Sequence, residues 1–308
     1  MTAPAPAPAP APLVPPAAAG PALSAVVAGV WRLASWGMSV AERVRWIEGC
    51  LDLGVTTFDH ADIYGDYQVE ALFGEALAAA PALRDRMQLV SKCGIRLVSA
   101  RRPEHALKSY DTSPAHVTAS VERSLRALGV DHLDLLLLHR PDPLMDPDAL
   151  AETFRALREA GKVRHVGVSN HAPSQLALLH ARHPVVTNQV ELSPLHPAPL
   201  HDGTLDQCVA LGIRPMTWSP LAGGRLLAGD DEAAVRVREA LEAIGRERGA
   251  TAATVAFAWV LRHPSRPVPI TGTRRVEGIA EAVAALALPL SAEEWYRVWQ
   301  AGAGHEVP

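Results

Sequence analysis

The chain has 308 residues, 48% hydrophobic and 20% charged, enough to bury the core of a large domain such as a barrel of about 250 residues. A net charge of −4, from 33 acidic and 29 basic residues, offers no bulk attraction to nucleic acid or to an anionic membrane. Cys50, Cys93 and Cys208 form an odd, widely spaced set without a CxxC pair, which argues against a disulfide framework or a zinc site and fits a reducing compartment.

Residues 1–20 are dominated by alternating Ala and Pro and hold no Lys or Arg. Their prolines break the apolar helix that a signal peptide needs, so the segment reads as a disordered, polyproline-like tail. Later apolar runs are all shorter than the roughly 18–20 residues that span a bilayer. A soluble, cytoplasmic protein is expected, with residues 21–308 as one domain.

Beyond the tail, short apolar strand candidates alternate with amphipathic helix candidates. The strands are expected near 26–30, 55–59, 87–92, 134–139, 164–169, 185–190, 213–218 and 267–271. The fourth is a continuous leucine run, as a parallel strand covered on both faces requires. Ser39 and Glu42 form a capping box ahead of Val44, Ile47 and Leu51. Ser113-Pro114 opens a second helix, with Val117, Val121, Leu125 and Leu128 on one face and Gly129 at its end. Asp146-Pro147 opens a third, with Leu150, Phe154 and Leu157 turned inward. This alternation predicts a (β/α)₈ TIM barrel; an open doubly wound sheet would carry a G-x-G-x-x-G turn after an early strand, which is missing.

In a parallel barrel the C-terminal strand ends converge on one mouth. There the second strand brings Asp59, with Tyr64 on the loop beyond it, the third Lys92 and the fourth His139. Reducing a carbonyl takes a hydride on carbon and a proton on oxygen. A free phenol, with its pKa near about 10, is a poor acid at neutral pH. A lysine ammonium favours its phenolate, a carboxylate keeps that lysine charged, and a histidine can orient the substrate oxygen. Asp59, Tyr64, Lys92 and His139 therefore make a coherent proton-donating group.

The remaining strand ends suit a nucleotide. Ser169, Asn170 and Gln189 can pair with a carboxamide such as that of nicotinamide, and Trp218 offers a flat stacking face. Gly223-Gly224 allows close backbone approach to a pyrophosphate. Gly272, Thr273, Arg274 and Arg275 open a helix, a position that favours anions.

These segments resemble the aldo-keto reductases: FDHADIYG (58–65), VSKCG (90–94), DLLLLHRPD (134–142), VGVSN (166–170), TNQVE (187–191), WSPLAGG (218–224) and PITGTRR (269–275). The ordered match runs from about Gly29 to near the C-terminus, and GVWRL (29–33) and HRPDPLMD (139–146) are particularly similar to the bacterial YdhF-type oxidoreductases. The resemblance implies transfer of the 4-pro-R hydride to an aldehyde or ketone, with Asp59, Tyr64, Lys92 and His139 as catalytic tetrad and Tyr64 as general acid. It implies nicotinamide contacts from Ser169, Asn170, Gln189 and Trp218, and pyrophosphate contacts from Ser219 and Leu221. Gly272, Thr273 and Arg274 correspond to the adenosine-phosphate loop and Glu281 to the acid that meets adenine.

Two positions depart from the family pattern. Gly278 stands where an arginine commonly grips the 2′-phosphate of NADPH, and Ala282 replaces the usual asparagine. Arg274 or Arg275 can take over that grip, so NADPH is the expected cofactor, with NADH as the alternative and no metal. The expected partner is a small carbonyl substrate shaped by Trp31, Trp36 and the loops 94–112 and 140–146, with no nucleic acid or membrane partner, on a monomer or weak homo-oligomer. Two other readings stay open: a cofactor-binding regulatory subunit with little turnover, and a Schiff-base aldolase or lyase using Lys92.

Overall fold

A computed structural model describes residues 9–14 and 20–308. Eight parallel strands close into a barrel: β1 (Val27–Gly29), β2 (Thr57–Asp59), β3 (Gln88–Cys93), β4 (Leu133–Leu138), β5 (Val163–Ser169), β6 (Asn188–Glu191), β7 (Met216–Trp218) and β8 (Val268–Thr271). Every predicted strand is present, and each contributes one stave in chain order. Strand alternation divides the core in two. Leu135 and Leu137 of β4 point inward to meet Val27, Val90, Met216 and Val268. Leu136 and Leu138 point outward into the larger apolar layer beneath the helices.

The outer ring begins with α1 (Val40–Asp52), α2 (Val69–Ala79), α3 (Pro114–Leu128), α4 (Pro147–Glu159) and α5 (Pro173–His180). It continues with α6 (Thr204–Leu211), α7 (Glu232–Arg248), α8 (Ala252–Leu261), α9 (Val276–Ala284) and α10 (Ala292–Ala303). The capping box at Ser39 forms reciprocally, Ser39 N donating to Glu42 Oε2 at 2.8 Å and Glu42 N to Ser39 Oγ at 3.3 Å. On α1 the buried face is Arg43, Trp46, Ile47, Cys50 and Leu51; Val44 is only half-buried, one step off the predicted stripe. No helix among the described residues is long and apolar enough to cross a membrane.

The foot of the barrel closes in a way the composition of the N-terminal segment does not announce. Residues 1–8 and 15–19 of the expected tail lie outside the described residues, but Leu13–Val14 pairs antiparallel with Leu23–Ser24. Ala11 is buried, its N–H donating to the Leu53 carbonyl at 2.9 Å. Ser24 and Thr57 exchange two hydrogen bonds, at 2.9 and 3.0 Å, tying this ribbon to β2. Leu23, fully buried, plugs the inner core. Described residues of the segment thus lie on the barrel, because tertiary contacts to α1 and β2 outweigh the weak local preference of a Pro-rich chain.

Candidate active site

The four residues singled out at the strand ends come together at the barrel mouth. Asp59 closes β2 and Lys92 lies on β3, and both are buried, at 3% and 1% exposure. Lys92 Nζ donates to Asp59 Oδ2 at 2.7 Å, to the His60 carbonyl at 2.8 Å and to Tyr64 Oη at 2.9 Å. An ammonium has three donors, so this one is saturated. Tyr64 and His139 are half-buried at the mouth, with ring centroids 5.8 Å apart and planes at 78°.

Tyr64 stands on a turn made possible by unusual backbone. Gly65, Asp66 and Tyr67 all adopt left-handed conformations, with φ of 57°, 56° and 62°. Gly65 is required twice over, since a Cβ there would lie 2.9 Å from both Ala34 Cβ and Val69 Cγ2. Such strain persists only where surrounding contacts hold it; here Gln68 Nε2 donates to the Gly65 carbonyl at 2.9 Å.

Electrostatics set the protonation states. Burial lowers the Lys92 pKa, but Asp59 and Tyr64 outweigh it and hold the ammonium above its ordinary value. Burial raises the Tyr64 phenol and Asp59 adds to the rise, while Lys92 and Arg140 pull it down. The net direction is upward, which corrects the expectation that Lys92 brings the phenol below its usual value. His139 is held well below the usual imidazole range by burial and by the neighbouring Lys92 and Arg140 charges, so it is neutral near pH 7, and its Nδ1 is buried without a partner.

The predicted carboxamide cradle is contiguous with this group. Trp218 Nε1 donates to Asn170 Oδ1 at 3.1 Å, Asn170 Nδ2 donates to Ser169 Oγ at 2.8 Å, and Ser169 Oγ donates to the Gln189 carbonyl at 2.8 Å. The Gln189 side chain does something the sequence reading missed: its Nε2 donates to Asp59 Oδ1 at 2.8 Å. Asp59 is therefore gripped on both oxygens. A strand-end glutamine facing a strand-end aspartate across the barrel was visible only in the closed topology.

The loop after β7 is rich in left-handed backbone. Ser219, Ala222, Gly223 and Gly224 have φ of 52°, 50°, 70° and 105°, a tight path in which Ala222 N donates to the Ser219 carbonyl at 2.7 Å and Gly224 N to the Leu221 carbonyl at 2.9 Å. Leu221 is half-buried in the same loop. From the loop after β1, Arg32 Nη2 donates across the mouth to the Gly223 carbonyl at 3.3 Å. Trp31 beside it is 59% exposed, whereas Trp36 packs edge-on against Trp46 at 5.2 Å and is part of the scaffold.

At the start of α9, Gly272 has no close neighbour beyond the Gly29 carbonyl, 3.7 Å from where a Cβ would sit, while a Cβ on Gly278 would lie 3.0 Å from Thr273 Cγ2. A side chain at 278 would crowd Thr273, which would have to give by a few tenths of an ångström. Arg274 and Arg275 are exposed, and neither forms a salt bridge among the described residues. They line a cavity of about 410 Å³ with Trp36, Met38 and Glu277. Glu281 lies half-buried on α9. A separate cavity of about 730 Å³ between Trp295, Trp299 and His201 on the outer face holds none of the predicted site residues.

Comparison with known proteins shows the family and the fold. The Aldo/keto reductase family model matches residues 25–302. The chain is 51% identical over 292 residues to Oxidoreductase YdhF of Escherichia coli, covering 94% of this chain and 97% of that one. It is 43% identical over 288 residues to a 6-dehydroglucose reductase of Agrobacterium fabrum, covering 92% and 96%. The structure of the glycerol dehydrogenase AKR11B4 from Gluconobacter oxydans superposes with a TM-score of 0.82 at 25% identity, covering 96% of this chain and 95% of that one. With its closed barrel and a family match along almost its whole length, the chain belongs to the aldo-keto reductases, NAD(P)H-dependent oxidoreductases.

Proposed function

We propose that this protein reduces aldehydes or ketones to alcohols with NADPH, Tyr64 delivering the proton. The observation that carries the reading is the saturated Lys92 ammonium, held by Asp59, the His60 carbonyl and Tyr64 Oη at 2.7–2.9 Å. That arrangement leaves Tyr64 as the one member of the Asp59–Lys92–Tyr64 chain open to the mouth, and it keeps the phenol protonated until negative charge develops on a carbonyl oxygen beside it. Neutral His139, 5.8 Å away ring to ring, donates or accepts a hydrogen bond without repelling substrate charge. Bound NADPH supplies the hydride.

Ser169, Asn170, Gln189 and Trp218 would hold the nicotinamide end, and Ser219 and Leu221 the pyrophosphate, on the loop where Gly223 and Gly224 let the chain approach closely. Gly272 leaves room for the adenosine phosphate beside Thr273, and Glu281 would meet adenine. The guanidinium groups of Arg274 and Arg275, in no salt bridge among the described residues, support NADPH over NADH, because a 2′-phosphate would give them a charged partner. Trp31 would line the substrate pocket. The name of the Agrobacterium fabrum relative adds an oxidised hexose to the substrates worth assaying.

The Schiff-base alternative fits the geometry poorly. All three Lys92 N–H bonds are used, and the ammonium is stabilised, so no lone pair is free to attack a carbonyl. The decisive experiment titrates NADPH and NADH into the parent and Tyr64→Phe, followed by protein fluorescence, and then assays 4-nitrobenzaldehyde. Both proteins should bind NADPH, and only the parent should consume it with the aldehyde. Tight binding with no turnover on any aldehyde would instead favour a regulatory subunit.

A further inference from the structure

We propose that Arg140 makes this enzyme selective for carbonyl compounds that also carry a carboxylate, an inference that rests on the reductase reading above. Arg140 follows His139 directly off the end of β4. Its guanidinium carbon lies 6.0 Å from the centroid of the Trp218 ring, and Trp218 ends β7, which is not a neighbour of β4 in the barrel. The side chain therefore reaches across the mouth toward the ring proposed above to hold the nicotinamide, beside which a substrate carbonyl would have to sit.

The guanidinium has no carboxylate partner and donates no hydrogen bond among the described residues. Carboxylates that stand close by are already engaged. Asp142, two residues on, accepts from Thr112 N at 3.2 Å, from Thr112 Oγ1 at 2.9 Å and from Leu144 N at 2.9 Å. Asp59 is taken by Lys92 and Gln189 at 2.7 and 2.8 Å. By contrast, Arg43, Arg84 and Arg225 are paired with Glu75, Asp134 and Asp231.

Among the tetrad and Arg140, Asp59 and Lys92 cancel, Tyr64 and His139 are neutral, and Arg140 adds a positive charge; Arg32 adds another on the β1 side, and Glu191, in register with Trp218, stands 3.9 Å from His196. Arg140 acts on both Tyr64 and His139, lowering the pKa of each, so its field reaches the point where the carbonyl oxygen would be bound. A planar guanidinium offers two parallel N–H bonds to a carboxylate and sheds water more readily than an ammonium. Half-buried at the rim, it forms a stronger pair than it would in open solvent.

The test uses the full chain with saturating NADPH and two aldehydes of matched shape, 4-carboxybenzaldehyde and methyl 4-formylbenzoate, which differ in charge. The parent should favour the acid in kcat/KM by about tenfold, the scale of one charged hydrogen bond, and mainly through KM. Added salt should narrow the ratio. Arg140→Met should lower the acid-to-ester ratio by about tenfold or more, and Arg140→Lys should restore part of it. Equal use of acid and ester by the parent would overturn the inference while leaving the reductase reading intact. So would an Arg140→Met loss that falls equally on both aldehydes or appears only as weaker NADPH binding, since Arg140 would then be a cofactor clamp. Failure to reduce either aldehyde with NADPH bound would overturn the reductase reading and this inference with it.

Discussion

Replacing Asp59 by Asn should separate what the buried ion pair does for the fold from what it does for the chemistry. The pair is sealed, with side-chain exposures of 1% for Lys92 and 4% for Asp59. Removing the carboxylate charge leaves the Lys92 ammonium uncompensated in the core, with only neutral acceptors around it, and such losses cost about 3–5 kcal/mol. Against a typical stability of about 5–15 kcal/mol, Asp59→Asn should still fold but with a clearly lower urea midpoint. Replacing a buried pair by two neutral groups is often close to neutral, so Asp59→Asn with Lys92→Met should recover most of that loss. Activity should not follow. Without the ammonium, Tyr64 keeps the full rise that burial imposes, and the loss of general-acid assistance is expected to lower kcat by about 10²–10⁴. Urea denaturation with single-turnover rates on all three variants reads both axes. A double variant no more stable than the single one would refute the ion-pair argument, and recovery of kcat to within tenfold of the parent would refute the tuning role of Lys92.

Other consequences follow from the same structure. Arg274→Ala and Arg275→Ala should each weaken NADPH binding by about tenfold and leave NADH within a factor of two; equal effects on both nucleotides, by fluorescence titration, would count against a 2′-phosphate contact. His60 and His171 are buried, with pKa values pushed down from 6.5 to about 3 and about 4, by burial first in both. Their stabilising effect is complete above pH 6.5 and is lost as pH falls toward those values, at about 1.4 kcal/mol per pH unit. By about pH 5 each should have cost roughly 2 kcal/mol, so His60→Leu should flatten the acid limb of a stability–pH curve. Gly74→Ala should destabilise by about 1–3 kcal/mol, because its Cβ would sit 2.1 Å from the Ala127 carbonyl oxygen where α2 crosses α3; thermal melting reads this directly.

Much of the architecture is legible in the sequence because the signals are local. The leucine run of β4, the capping box at Ser39 and the Pro at the first turn of α3 and α4 each act within a few residues. The convergence of Asp59, Lys92 and His139 follows from one topological rule, that parallel strand ends meet at one mouth. What the sequence hides are contacts that depend on closure. Gln189 reaches Asp59 across 130 positions of chain. The ribbon of Ile95–Arg96 with Ser109–Tyr110 inside the loop after β3 has strands too short to show any alternation. The pairing of Leu13–Val14 with Leu23–Ser24 is similarly invisible beneath an Ala/Pro composition. The Tyr64 phenol was misjudged for a related reason: the sequence shows that a lysine is available to lower it, but only the packed site shows how much burial opposes that lysine.

That opposition bears on how the proposed acid would work. A phenol lowered far enough to ionise at neutral pH would meet the carbonyl as phenolate, with no proton to give. Burial keeps Tyr64 loaded, and Lys92, at 2.9 Å from its oxygen, stabilises the phenolate that proton transfer leaves behind. Because Asp59 and the His60 carbonyl also hold Lys92, the ammonium does not need to reorient as that charge appears, which is the preorganisation that makes a fixed dipole effective in a low-dielectric site. Gln189 on the far oxygen of Asp59 extends the same logic one bond further. Gln189→Leu would leave that oxygen unsatisfied in the core and also remove a proposed nicotinamide contact, so it should lower the single-turnover rate even with NADPH saturating, and a rate equal to the parent's would refute the positioning role.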